Sequence, residues 1–351
     1  MIRKTASLFC LFMALSLSDW ACSQGLPPTQ IKVIASSDQS NLHKNLERPF
    51  WTERLPKASG GAIKVEFSGL LSSGLKGPEI VRLMRAGAID FAHGVFQSVG
   101  ADDPLFEGMD LAGLATDVAG ARRVADAYKP VIDRAFREKH GIKLLAMVPF
   151  TAQVFFCRSP IKGMDDLKGK KVRVFGRSLA DFVTAMGGST VTIPFGEVVP
   201  ALQTGVADCA ITGVASGNTA KWTEVTTHLY MLPVGWSMSF YAVSQKRWDT
   251  LDPKVRDFLE KQMAQLENEI WALTAEENQD GVNCNIGQDP CKYGYKAKMT
   301  LVPLAGADLP ALNRIMRENV VAAWAKRCGA ACAREWNATI GKVVGFSAPA
   351  Q

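Results

Sequence analysis

The chain contains no run of basic residues, although its formal charge is +6. Charge spread this evenly argues against nucleic acid as a partner. There is no Gly-Lys-Ser/Thr phosphate loop and no His-Glu-x-x-His pair, which removes two common signatures of nucleotide and zinc chemistry. Gly213-Val214-Ala215-Ser216-Gly217 misses the nucleophile-elbow spacing by one residue. Only four histidines occur (His43, His93, His140 and His228), and they are scattered. Together these absences leave little support for an enzyme, and no cofactor or metal is expected. Low-complexity segments are also missing. Beyond the N-terminus, no apolar run approaches the ~20 residues that a membrane helix needs.

What is present is an ordinary globular composition, 47% hydrophobic and 21% charged over 351 residues. That length exceeds what one core usually supports, so two lobes are expected. Arg3 and Lys4 precede an apolar run, Ala6 to Leu17, and small residues at Ala21-Cys22-Ser23 follow. This reads as a signal peptide, residues 1–23, cleaved after Ser23, and so as a periplasmic protein. A lipid on Cys22 is the alternative, with Asp19 and Trp20 as poor neighbours for it. Six cysteines remain after cleavage. In an exported chain an even count favours disulfides. Cys284/Cys291 and Cys328/Cys332 are local pairs. Cys157 and Cys209 either bond across two strands or stay as buried thiols.

The middle of the chain reads as one α/β unit. Lys171 to Phe175 is a short β-branched strand, followed by a helix from Ser178 to Met186 that Gly187-Gly188 ends. Thr190 to Ile193 is a second strand, Gly196 to Thr204 a helix, and Val206 to Thr212 a third strand. This β-α-β-α-β order belongs to a parallel sheet, whose ligands sit at the carboxyl ends of the strands. Strands at Ile31–Ala35, Ala62–Phe67 and Ile89–Ala92 repeat the logic nearer the N-terminus, without a sequence repeat. Residues 116–139 form an amphipathic helix. Asp252-Pro253 caps a helix running to about Asn278, long enough to touch both lobes. The tail helix, Leu309 to Cys332, is expected on lobe two. The expected division is 24–150 plus 239–278 for lobe one, and 151–238 plus 279–351 for lobe two.

Arg173 lies between Val172 and Val174 and points away from them. Burying it costs free energy unless its charge is matched. A ligand carboxylate would match the guanidinium fork. The plainer readings are a surface arginine or an ion pair with Asp181 or Glu197.

Two motifs stand in order around this arginine: DLKGKKVRV from Asp166 and PFGEVVPALQTGVAD from Pro194. The combination resembles the solute-binding proteins of TRAP (tripartite ATP-independent periplasmic) transporters, the DctP-like family. That family shows D-L-K-G-x-K-x-R, then an aromatic-x-E-V-x-x-A-L-Q-x-G-x-x-D segment at about this distance. A looser resemblance covers the mature chain. It implies a two-lobed periplasmic binding protein fold, type II-like. Each lobe would be a mainly parallel sheet flanked by helices, with a long helix bracing both. It implies capture of a small organic carboxylate by hinge closure and delivery to TRAP membrane subunits, driven by a cation gradient and not by ATP. The chain is expected to act as a monomer. A sensor or ATP-driven importer component is the alternative, and a periplasmic enzyme on the same frame a third reading.

By the same resemblance, the family's carboxylate-clamping arginine falls on Arg173, and an aromatic that packs on ligand falls on Phe195. Thr212 stands where several members have asparagine, and AITGVASGN replaces the usual Gly-x-Glu-x pattern. Gln153 is neutral where some members place a second arginine. Arg177 could substitute, or be solvated. Ser36, His93 and Gly94 are expected at strand ends facing the cleft, and Trp236 either roofs the ligand or is core. One strong cation among apolar walls suits a monocarboxylate with an apolar or aromatic body.

Overall fold

A computed structural model of the protein describes residues 25–350; the expected signal segment and Cys22 lie outside them. Two sheets carry the fold. The first has the order β2-β1-β3-β10-β4, with β1 Thr29–Ile34, β2 Ile63–Ser68, β3 Phe91–Val95, β4 Ile142–Val148 and β10 Ser239–Ser244. The second has the order β11-β9-β5-β8-β6-β7, with β5 Gln153–Cys157, β6 Lys171–Val174, β7 Ser189–Thr192, β8 Cys209–Gly213, β9 His228–Tyr230 and β11 Thr300–Val302. In each sheet one strand runs against the rest: β10 against β3 and β4, and β5 against β8 and β9. These are the two strands that the chain enters directly after crossing between sheets. All positions of β5, β8 and β10 are buried, as central strands covered on both faces should be.

The two crossings, 149–152 and 231–238, run side by side. Phe150 N–H donates to Trp236 O (2.9 Å), Gln153 N–H to Gly235 O (2.8 Å) and Val234 N–H to Gln153 O (2.9 Å). Asp110 ties down the second crossing by accepting from the N–H groups of Trp236 (2.9 Å) and Met238 (3.0 Å).

The long helix is longer than the sequence suggested. It spans Pro253–Ile286, 34 residues, or about 51 Å at 1.5 Å per residue. The Asp252 side chain caps its start, and Gly287 ends it at φ 78°. Its middle serves the first sheet: Glu267 accepts from Met147 N–H (2.9 Å), and Trp271 Nε1 donates to Met147 O (3.0 Å). Its end serves the second: Asn285 Nδ2 donates to Val214 O (2.9 Å). The expected lobe boundary at 278 therefore falls inside one continuous helix.

The C-terminal helices are not confined to lobe two. Trp324 Nε1 donates to Pro104 O (2.7 Å) and Trp336 Nε1 to Gly108 O (2.8 Å), both in the loop after β3. Arg327 joins that loop to the second unit by bonding Glu107 and Asp181, each at 2.7 Å. Large indoles need both burial and an acceptor for their N–H, and this loop supplies both. The strands β9 and β11, three residues each, were not expected from the sequence. Cysteine pairs join Cys157 to Cys209, Cys284 to Cys291 and Cys328 to Cys332. The first links directly opposed residues of β5 and β8. Among the described residues, no helix is long and apolar enough to cross a membrane.

Candidate functional site

A cleft of about 120 Å³ opens between the sheets. Strand ends and loops of both line it. The first side contributes Ser36, His93, Gly94 and Gln97, the second Gln153, Arg173, Phe175, Phe195 and Thr212, and Phe150 comes from the first crossing.

Arg173 is its electrostatic centre. It is 2% exposed. Nε donates to Ile193 O and Nη1 to Ile211 O, both at 2.9 Å. The guanidinium also lies 5.5 Å from the ring centres of Phe175 and Trp222. The acidic partners considered from sequence are both taken: Asp181 pairs with Arg327 and Glu197 with Lys76. Burial alone lowers the Arg173 pKa, to about 9, with no acidic group acting against it. The carbonyl bonds and ring faces orient the fork and leave its charge unmatched.

The other candidates divide. Thr212 and Gln153 are buried and line the cleft. Gln153 Oε1 is buried without a partner. Phe195 lines the cleft and rests on Trp222, with ring centres 5.5 Å apart. Gly94 lines it as backbone; a side chain there would strike the Phe240 ring. His93 Nε2 lies 3.0 Å from Ser239 Oγ, and burial lowers its pKa to about 3. It is therefore neutral at pH 7 and supplies no positive charge. Ser36 donates both its N–H (3.0 Å) and its hydroxyl to Glu47.

Two candidates lie elsewhere. Arg177 is exposed and lines a neighbouring recess with Glu107 and Gly176; it is the first residue of the helix after Gly176, whereas Arg173 lies inside β6. Trp236 is core: its Nε1 donates to Ala115 O (3.0 Å), and it does not line the cleft. Sequence reasoning missed Phe150, Gln97 and Lys76. Lys76 stands at the cleft mouth, 2.8 Å from Glu197 of the other side. Gln97 follows directly on the β3 segment already singled out, and that adjacency was the available signal.

Glu47 holds the first-sheet side together. It also accepts from Tyr241 Oη (2.6 Å). Burial pushes its carboxyl up from 4.5 to about 7, and likewise pushes Glu277 from 4.5 to about 8. The folded chain thus keeps protons that the unfolded chain has already released. That contribution to stability is full below pH 4.5 and is lost as pH rises through the folded values. The lowered pKa of His93 acts the opposite way only below its unfolded value of 6.5. The melting temperature is therefore expected to rise as pH falls from about 8.5 to about 6.5. Calorimetry across that window checks this, and a falling melting temperature would contradict the buried, protonated carboxyls.

A family model described as bacterial extracellular solute-binding protein, family 7, matches residues 33–289. The C4-dicarboxylate-binding periplasmic protein DctP of Rhodobacter capsulatus is 28% identical over 233 residues, 65% of this chain and 68% of the relative. DctP7, a Bordetella pertussis extracytoplasmic solute receptor binding pyroglutamic acid, superposes with a TM-score of 0.78 at 23% identity, covering 90% of this chain and 99% of that one. A TRAP periplasmic solute-binding protein from Desulfovibrio salexigens with bound orotic acid reaches a TM-score of 0.80 at 19% identity, covering 90% and 98%.

Proposed function

The chain belongs to the bacterial extracellular solute-binding proteins of family 7, the TRAP-transporter receptors, and from that premise we propose that it captures a small organic monocarboxylate on Arg173. The carrying observation is the buried guanidinium that faces the interlobe cleft with no acidic partner. A carboxylate supplies both the missing charge and a matching fork geometry. Among the described residues, nothing else on the cleft wall offers a second free cation. Gln153 and His93 are neutral, and Lys76 is engaged by Glu197. A second buried carboxylate would lack a partner, at a cost of several kcal/mol. Phe150, Phe175 and Phe195 suit an apolar or ring-shaped body. Pyroglutamic and orotic acids, bound by the two structural neighbours, each carry one carboxylate on a ring.

In this reading the chain is a receptor and not a catalyst. The two lobes close by bending at the paired crossings, 149–152 and 231–238. Export with cleavage after Ser23 puts it in the periplasm, where it works as a monomer and delivers ligand to TRAP membrane subunits. A C4-dicarboxylate is the second reading. It is favoured by the Rhodobacter relative and by Lys76, whose exposed pair with Glu197 is weak enough to exchange.

A thermal-shift panel of organic acids decides between them. Ring-bearing monocarboxylates are expected to raise the melting temperature more than succinate does. Stabilisation by diacids alone would reject the monocarboxylate reading.

A further inference from the structure

Next to the cleft lies a smaller cavity of about 20 Å³, room for about one water-sized group. It shares Ser40, Phe150, Ser216 and Thr219 with the cleft lining, so the two spaces adjoin. The long helix contributes Thr274 and Glu277 to its wall. Glu277 is 7% exposed. Asn41 bonds its carboxyl, yet Oε1 is buried with no partner. Among the described residues, no lysine, arginine or histidine lines the cavity. The charged groups acting on Glu277, Asp280 and Glu276, have its own sign, and burial raises its pKa to about 8. A carboxyl placed this way costs stability that an apolar residue would not. Its neighbours already hold the crossing: Asn278 Oδ1 accepts from Ala152 N–H (2.9 Å), and Thr274 Oγ1 donates to Pro149 O (3.4 Å).

We propose that this cavity is a subsite for a cationic nitrogen of the ligand, so that the natural ligand is an amino-carboxylate whose carboxylate lies on Arg173. The inference rests on the carboxylate reading above and extends it. An ammonium brings three donors and a positive charge. A bound ammonium favours the ionised carboxyl, so Glu277 gives up its proton to solvent on binding; Oε1 then takes one donor and the new carboxylate matches the charge, while Ser216 and Thr219, shared with the cleft lining, offer hydroxyls as further acceptors. The combined space then has a cation at one end and an anion at the other. An acidic group entering the side cavity would find no cation on its described wall and would be left buried and unmatched, which gives selectivity by exclusion as well as by attraction.

Calorimetry on matched pairs tests this. Each pair sets an unbranched alkyl carboxylate against its ω-amino analogue, from 4-aminobutanoate to 8-aminooctanoate. At one chain length at least, the amine is expected to bind ~10-fold or more tightly than its alkyl partner, which is the scale of one newly matched buried charge. In Glu277→Gln that difference should vanish. Ser216→Val, which narrows the passage without touching the carboxyl, should remove it as well and serves if the first variant does not fold. Alkyl carboxylates binding with no gain from the amine would overturn the subsite alone. So would an amine preference that survives both variants. If no member of any pair binds while ring-bearing monocarboxylates do, this inference falls alone; if neither class binds, the carboxylate reading falls with it.

Discussion

Arg173→Lys is expected to weaken ligand binding by about 10- to 100-fold, and Arg173→Met to abolish it in calorimetry. The guanidinium is already held by Ile193 O and Ile211 O, so its remaining donors and its charge are available to a ligand. A lysine ammonium reaching the same place is a point charge without the fork. It forfeits one charge-assisted bond, roughly 1.5–3 kcal/mol. Methionine leaves the carboxylate buried and unpaired, at ~3–5 kcal/mol. The melting temperature of the unliganded chain separates this from a structural role. Methionine loses two bonds to carbonyl oxygens but also removes a buried charge that nothing matches, and the two effects offset. The unliganded melting temperature is thus expected to stay near that of the parent, while the ligand-induced shift disappears. Unchanged affinity in Arg173→Lys would refute the assignment.

Arg173 was readable in advance because its sequence context is unusual. A charged residue inside Lys171-Val172-Arg173-Val174-Phe175 demands a reason, and strand alternation says which way it points. The parallel units around it were readable for a similar reason: strand and helix periods alternate cleanly, with glycines at the breaks. Trp236 and Arg177 show where such reading stops. Each lies close in sequence to a true wall residue. Whether an indole faces ligand or core depends on which carbonyl its N–H finds, here Ala115 O, 121 residues away. Arg177 opens a helix after Gly176 while Arg173 lies in the strand before it, and a period count does not say which way the first helical residue points. Phe150 carried no periodic signal, because it belongs to a crossing and not to a strand. The tail's second set of contacts was not legible, because Trp324 and Trp336 take their acceptors from Pro104 and Gly108, more than 200 residues upstream in the chain, while Arg327 also reaches Asp181.

The end of the long helix teaches the same lesson and makes the last prediction. Residues 279–286 include Gly281, Asn283 and Asn285, all weak helix formers, so local propensity argues for a stop near Asn278. Packing overrides it. An added Cβ at Gly281 would stand 2.8 Å from Ala215 N and 3.0 Å from Ala215 Cα on the helix Val214–Thr219. These are backbone atoms that no rotamer change can move. Glycine is what lets the two helices come this close. Gly281→Ala is therefore expected to destabilise the protein although alanine is the better helix former. The propensity gain is about 1 kcal/mol, and forcing the helices apart costs up to about 3 kcal/mol. The bond from Asn285 Nδ2 to Val214 O (2.9 Å) would be strained with them. A net loss of up to about 2 kcal/mol lowers the melting temperature by about 3 °C for a chain of this size. Ala275→Gly, at an exposed position of the same helix, supplies the contrast. It should cost about 1 kcal/mol through propensity alone. If propensity governed both sites, the two substitutions would shift melting in opposite directions; close packing at Gly281 predicts that both lower it. Ser216 and Thr219, which ride on the displaced helix and line the cleft, should carry the disturbance into ligand affinity for Gly281→Ala and not for Ala275→Gly.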